Sequence, residues 1–369
     1  MCSSDLWLAF SHAWRRLLDL AEQDQTLSLH HLLLSIRNLE CHAGLIETYL
    51  AARREIPSDA WHGLHLAYGQ AEAAQIAELT LPAGGQGKEL SCLRLYAHTL
   101  MMTLAHPHGL SVREYGWVKS WARRWAEKVR LWRAAENGGG LAVDISGNQA
   151  PIWCAAGTPG ASLRFIDFSS VTRSMRWREK RLAEGESPSA LGLGRDCSIQ
   201  GARDLIAKLQ CSWSDAPQPR QFPRRQREGS IELIAGFPGI YQAIAGKGFK
   251  SGATPWNYTR RKIEQIQVFQ HNTDPSVPRD ASLDPECWHI EDESAYGFRS
   301  RRAAGGARLS HRQLVALRPQ GAGQFILCEV RWLTQGTENM LTVGAKALPG
   351  LPQACAVRPV GDGPDNRDR

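Results

Sequence analysis

Residues 286–297 read Glu-Cys-Trp-His-Ile-Glu-Asp-Glu-Ser-Ala-Tyr-Gly, a β-prone run that closes on Asp292-x-Ser294-x-x-Gly297. Aromatic and β-branched residues predict a strand here, and the Asp, Ser and Gly at its end predict a hairpin turn. Four more such runs lie nearby: SIELIAGF (230–237), QLVALRP (313–319), GQFILCEVRWL (323–333) and MLTVGAKAL (340–348). Short β-rich runs divided by Gly, Pro and polar turns predict a small antiparallel β-barrel.

Just ahead of the first strand stands Arg220-Gln-Phe-Pro-Arg224, an RxxxR element. RxxxR followed by DxSxxG, ahead of a series of strands, resembles the signature of PilZ domains. Gly305 and Gly306 before LVAL, and CEVRWL followed by VGAKAL, agree with that pattern. The resemblance spans roughly residues 218–358. It implies a receptor for cyclic di-GMP, with Arg220, Arg224, Asp292, Ser294 and Gly297 at the ligand. It also implies signal transduction in bacterial motility, exopolysaccharide and biofilm control. Arg299, two residues past the glycine, is added as a phosphate contact on its charge alone.

The chemistry of the residues is consistent with that ligand. Guanidinium groups fork onto guanine O6/N7 edges, grip phosphates and stack on purines. An aspartate accepts from base N–H donors, and serine adds a small hydroxyl. Glycine permits positive φ or a close approach that a β-carbon would block. The charge is distributed to match. Residues 1–215 carry 23 Lys/Arg against 22 Asp/Glu, whereas residues 216–369 carry 21 against 15. One departure from the PilZ pattern stands out: 67 residues separate Arg224 from Asp292. An insertion around 236–285 accounts for them, and it leaves the clamp open to Arg225, Arg227, Arg260 or Arg261.

Towards the N-terminus the pattern is helical over residues 5–135. Leu17, Leu18 and Leu20 are followed by Leu32, Leu33, Ile36 and Leu39 at helical spacing. Ser58 and Asp59 are expected to cap a helix, and LPAGGQGKEL (81–90) reads as a Gly-rich connection. WVKSWARRWAEKVRLWR (117–133) carries a tryptophan stripe, expected in the core with a membrane-surface or partner-binding helix as the minor reading. Four to six helices in a bundle are predicted. After ENGGG (136–140), LAVDIS and SLRFIDFS predict strands, followed by helices over SSVTRSMRWREKRLAEG and QGARDLIAKLQCSW.

The expected architecture is α+β multidomain. A helical bundle (1–137) is followed by a small mixed α/β connector (141–215) and a PilZ-like antiparallel barrel (216–360), with a disordered tail (361–369). The chain has nine cysteines and no CxxC, which predicts reduced thiols and a cytoplasmic protein. No long apolar run predicts a membrane span, and MCSSDLWLAF lacks the basic region of a secretory leader. AGKGFKSG (245–252) breaks the phosphate-loop spacing, GxSxG is absent, and His62 with His65 lacks a completing zinc set. Neither a catalytic residue nor a cofactor is therefore expected, and the protein reads as a binder, not an enzyme. Asp144-Ile-Ser146 echoes a second DxSxxG, but Gln149 replaces its glycine. Two rivals remain: a basic nucleic-acid-binding protein, against which the absence of interleaved aromatics counts, and a degenerate scaffold that binds a protein partner through its helices.

Overall fold

The computed structural model describes residues 3–21, 23–83, 88–134, 139–155, 157–158, 160–213, 223–247, 284–303, 305–336 and 339–355. Arg220, Arg260, Arg261, the 361–369 tail and most of the expected insertion lie outside them. The chain divides into two compact units, Met1–Gln221 with Thr334–Thr337, and Phe222–Leu333 with Glu338–Arg369.

The first unit contains α1 (Ser3–Ala21), α2 (Gln25–Ser28), α3 (His31–Ala51), α4 (Ser58–Ala73), α5 (Cys92–Leu104) and α6 (Val112–Trp125). Ser111 and Glu114 form a reciprocal capping box that starts α6. Ser91 caps α5 by accepting the Arg94 N–H. At α4 the cap is Pro57, not Ser58, and Asp59 instead places its charge in the first turn, where the helix dipole favours it. The Gly-rich connection carries a hairpin, β1 (Leu81–Ala83) with β2 (Lys88–Leu90).

The tryptophan stripe ends sooner than its pattern predicts. Val129-Arg-Leu-Trp132 leaves the helix, and β3 (Arg130–Trp132) pairs with β6 (Leu163–Asp167). A four-stranded antiparallel sheet follows in the order β3-β6-β4-β5, where β4 is Gly139–Asp144 and β5 is Ile152–Ala155. Then come α7 (Ser169–Ala183) and α8 (Ile199–Ser212). A single hydrophobic cluster runs from Ile36 through Trp121 and Trp125 to Phe168, Leu205 and Trp213. The helices and the 139–213 elements thus share one core.

The second unit is a six-stranded antiparallel barrel. Its strands are β8 (Ser230–Ala235), β9 (Glu286–Ser294), β10 (Gly297–Arg302), β11 (Leu314–Pro319), β12 (Ile326–Gln335) and β13 (Leu341–Ala347). The order β8-β9-β10-β13-β12-β11 closes because β8 also pairs with β11. The two-residue β7 (Arg225–Gln226) adds to the outer length of β9. Ile231, Leu233, Trp288, Ile290, Val315, Leu317, Cys328, Val330 and Val343 fill the interior. Residues of opposite parity, Ile234 and Ala316, face α9 (Phe237–Ala245), which covers them with Ile240.

Candidate functional site

The site begins with an irregularity in β9. Arg299 pairs with Asp292 and Ser300 with Ile290, so Glu291 is the extra residue of a bulge. Ile290 and Ser300 are buried at 1% exposure, and Phe298 packs on the barrel core. Alternation therefore turns Arg299 and Arg301 outward. Gln226, Asp292, Arg299 and Gly344 form one cross-strand row on that outer face.

Two carboxylates on this face hold arginines. Arg224 Nη1 donates to both oxygens of Asp292, at 2.9 and 3.1 Å. Its other nitrogens have no partner among the described residues, so donors remain for a second acceptor. Glu291 Oε2 lies 2.5 Å from Arg299 Nε, and Glu291 Oε1 lies 3.5 Å from Arg301 Nε. The Arg299 guanidinium also sits 5.8 Å from the Trp332 ring centroid. One step along, Arg227 donates to Glu293 at 2.6 Å, and Arg225 pairs in register with Glu293.

Ser294 closes the hairpin. Its hydroxyl accepts the Tyr296 N–H at 3.4 Å and points at the Gly297 carbonyl at 3.5 Å. Gly297 is explained by space, not by dihedral angle. A β-carbon there would collide with the Ala345 carbonyl on β13 and sit 3.3 Å from Lys346 Cα. This requirement for glycine involves no ligand.

The structure thus brings Arg224, Asp292, Ser294, Gly297 and Arg299 onto one stretch of barrel, with Arg225 and Arg227 beside it. Sequence reasoning missed Glu291, Glu293 and Trp332. A signal for the carboxylates was present: the acidic run 291–293 faces the arginine run 299–302 across a turn.

The other constellations have structural explanations. Asp144 ends β4 in a turn, its Oδ1 accepting the Ser146 N–H at 2.9 Å. His65 is buried, with Nδ1 2.6 Å from the Tyr96 hydroxyl and Nε2 2.8 Å from the Gln149 carbonyl. Burial holds its pKa below the usual imidazole range. No His/Cys/Asp/Glu group suited to a metal occurs among the described residues. Their eight cysteines are free, and none of their helices is long and apolar enough to cross a membrane.

Residues 2–135 match a family model described as cyclic-di-GMP receptor FimW, N-terminal domain. The match covers a little over a third of the chain. It falls on the helical unit, not on the barrel whose motif suggests the same ligand. No curated protein matches the chain.

Proposed function

We propose that the protein is a cyclic di-GMP receptor whose ligand docks on the outer face of a PilZ-like barrel. Two independent lines support this reading. The helical unit is similar to the N-terminal domain of a cyclic-di-GMP receptor, and the barrel carries the arginine–aspartate constellation such a ligand needs. The single observation that carries the site is the Arg224–Asp292 pair. An exposed ion pair contributes only about 0–1 kcal/mol, so a ligand can replace it at little cost.

In this mechanism Asp292 turns from Arg224 to the N–H donors of a guanine. Arg224 then grips a phosphate or the O6/N7 edge, helped by Arg220 from the preceding segment. Arg299 supplies a further cation beside Asp292, and Ser294 a hydroxyl at the hairpin. The nucleotide undergoes no bond chemistry. The output is mechanical, because Arg224 follows Trp213 by only eleven residues. Trp213 is buried and donates its indole N–H to Met101 O at 3.0 Å, so it anchors that segment in the helical core. Ligand-induced rearrangement of the arginines is transmitted along the chain to a partner-binding or inter-unit change.

Calorimetric titration of the purified chain tests this. Cyclic di-GMP should release heat at micromolar concentration, and Asp292→Ala or Arg224→Ala should weaken binding at least about tenfold, the scale of one lost charge-assisted contact. Absence of heat with the unmodified chain would overturn the proposal. Unchanged affinity in both variants would move the site elsewhere.

A further inference from the structure

Helix α7 bears a second cluster, far in sequence from the barrel motif. Ser170, Arg173, Ser174 and Trp177 recur at helical spacing and therefore share one face. Opposite them runs the 127–130 segment, with Lys128 and Arg130. Together they line an open groove of about 740 Å³, within the range of small-ligand sites.

The groove's charge is uncompensated. Lys128, Arg130, Arg173 and Arg178 line it, with Glu127 the one carboxylate in its lining. Glu127 is already paired with Arg94 at 3.2 Å. Arg173 is exposed and has no partner among the described residues. Lys128 Nζ donates to Ser174 Oγ at 3.2 Å, and Arg178 Nη1 donates to the same oxygen at 2.6 Å. The hydroxyl is thus held between two cations.

The groove's aromatic is held in place as well. Trp177 is 54% exposed, which is unusual for so large an apolar surface. The Arg178 guanidinium lies 5.5 Å from its ring centroid and 5.4 Å from that of buried Trp125. Arg178 also donates to Leu191 O at 3.1 Å, so the stack is tied to the core. A fixed, open indole beside surplus guanidinium groups suits a ligand with a flat ring at one end and phosphate at the other.

We infer that this groove is a second ligand site, independent of the barrel, that takes a phosphorylated purine nucleotide. The base stacks on Trp177, and Arg173, Arg130 and Lys128 hold the phosphates. Linear and cyclic nucleotides share this chemistry, and the test separates them.

The experiment uses the full chain carrying Arg224→Ala with Asp292→Ala, which alters the barrel pair and leaves α7 untouched. GTP, ATP and cyclic di-GMP are titrated into it separately by calorimetry at physiological salt. At least one should bind at micromolar concentration, and which one identifies the source. Adding Trp177→Ala should weaken that binding by about tenfold or more, the scale of one lost base–indole stack. Trp177→Phe should restore most of it, which distinguishes lost stacking from misfolding. Arg173→Glu should weaken binding, while Arg176→Glu, outside the groove lining, should change it little. The inference fails if none of the three binds, or if Trp177→Ala and Arg173→Glu leave affinity unchanged. It also fails if a single-stranded RNA oligonucleotide binds and no mononucleotide or cyclic dinucleotide does. Failure of the barrel site would be seen elsewhere, as cyclic di-GMP binding by the unmodified chain that neither Arg224→Ala nor Asp292→Ala weakens.

Discussion

The helical unit and the barrel each hold an arginine–carboxylate pair, Arg164–Glu72 and Arg224–Asp292, and the two differ in burial and in how many nitrogens are engaged. In the helical unit Arg164 is 4% exposed and donates from Nε to both oxygens of Glu72, at 2.8 and 3.0 Å, and from Nη2 at 2.5 Å. Its Nη1 is taken up by the Ala161 and Leu163 carbonyls. Every guanidinium nitrogen is therefore engaged, and the pair ties α4 to the sheet. On the barrel, Arg224 engages Asp292 through one nitrogen, with side-chain exposures of 37% and 16%. The first arrangement is architectural. The second is open to exchange, which is what a ligand site requires.

Removing Glu72 should have the largest effect on stability. Glu72→Ala leaves the buried Arg164 charge without a counterion, which costs about 3–5 kcal/mol. Denaturant unfolding should show a large fall in midpoint for the helical unit. A loss below about 1 kcal/mol would mean that this pair is no more fixed than those on the barrel.

Acid separates the units next. Burial lowers the pKa of His42, His98 and His108 to about 4, against 6.5 for an ordinary imidazole, and lowers that of His65. Below pH 6.5 the unfolded chain takes up protons that the folded unit refuses. The stability these histidines supply is therefore complete above 6.5 and is lost as pH falls toward 4. Hydrogen bonding to Arg164 likewise depresses the Glu72 pKa, so its contribution is also lost on acidification. All of these groups are in the helical unit. Hydrogen exchange resolved by region should show helical protection falling by a few kcal/mol between pH 6.5 and 4. An equal fall in the barrel would erase the distinction.

A third test concerns the barrel's own rigid point. Gly297→Ala places a methyl group against the Ala345 carbonyl. The expected cost is about 1–3 kcal/mol, because backbone on β13 must give way. Thermal unfolding of the barrel reads it. A neutral result would return the glycine to a ligand role.

The sequence shows some of this architecture more clearly than the rest, for physical reasons. ECWHIEDES matches β9 to the residue, because its pattern is local and its turn chemistry marks the end. GFRSRR, by contrast, hides β10. Three of its six residues are arginine, and the inward Phe298 and Ser300 are too few to show a period. β7 and β3 exist only through distant partners: Gln226 pairs with Asp292, 66 residues on, and Arg130 with Asp167, 37 residues on. A chain read residue by residue gives no hint of such pairing. Of the site, Asp292 and Ser294 were legible as a motif. Arg224 was legible as part of RxxxR, but its contact with Asp292, out of a crowded arginine run, shows only where β7 aligns with β9.

The smallest expected effect is the most informative about exchange. Arg227 donates to Glu293 at 2.6 Å with side-chain exposures of 42% and 29%. Coulomb attraction across a hydrated surface is weak, and holding two long side chains in one geometry has an entropic cost. Arg227→Ala should therefore shift stability by no more than about 1 kcal/mol, and the shift should shrink as salt is raised. Urea unfolding at low and high salt measures both. If stability instead fell by several kcal/mol regardless of salt, the arginines beside β9 would be structural clamps like Arg164. They would then be too costly to release, and a nucleotide could not displace the Arg224–Asp292 contact on which the receptor proposal depends.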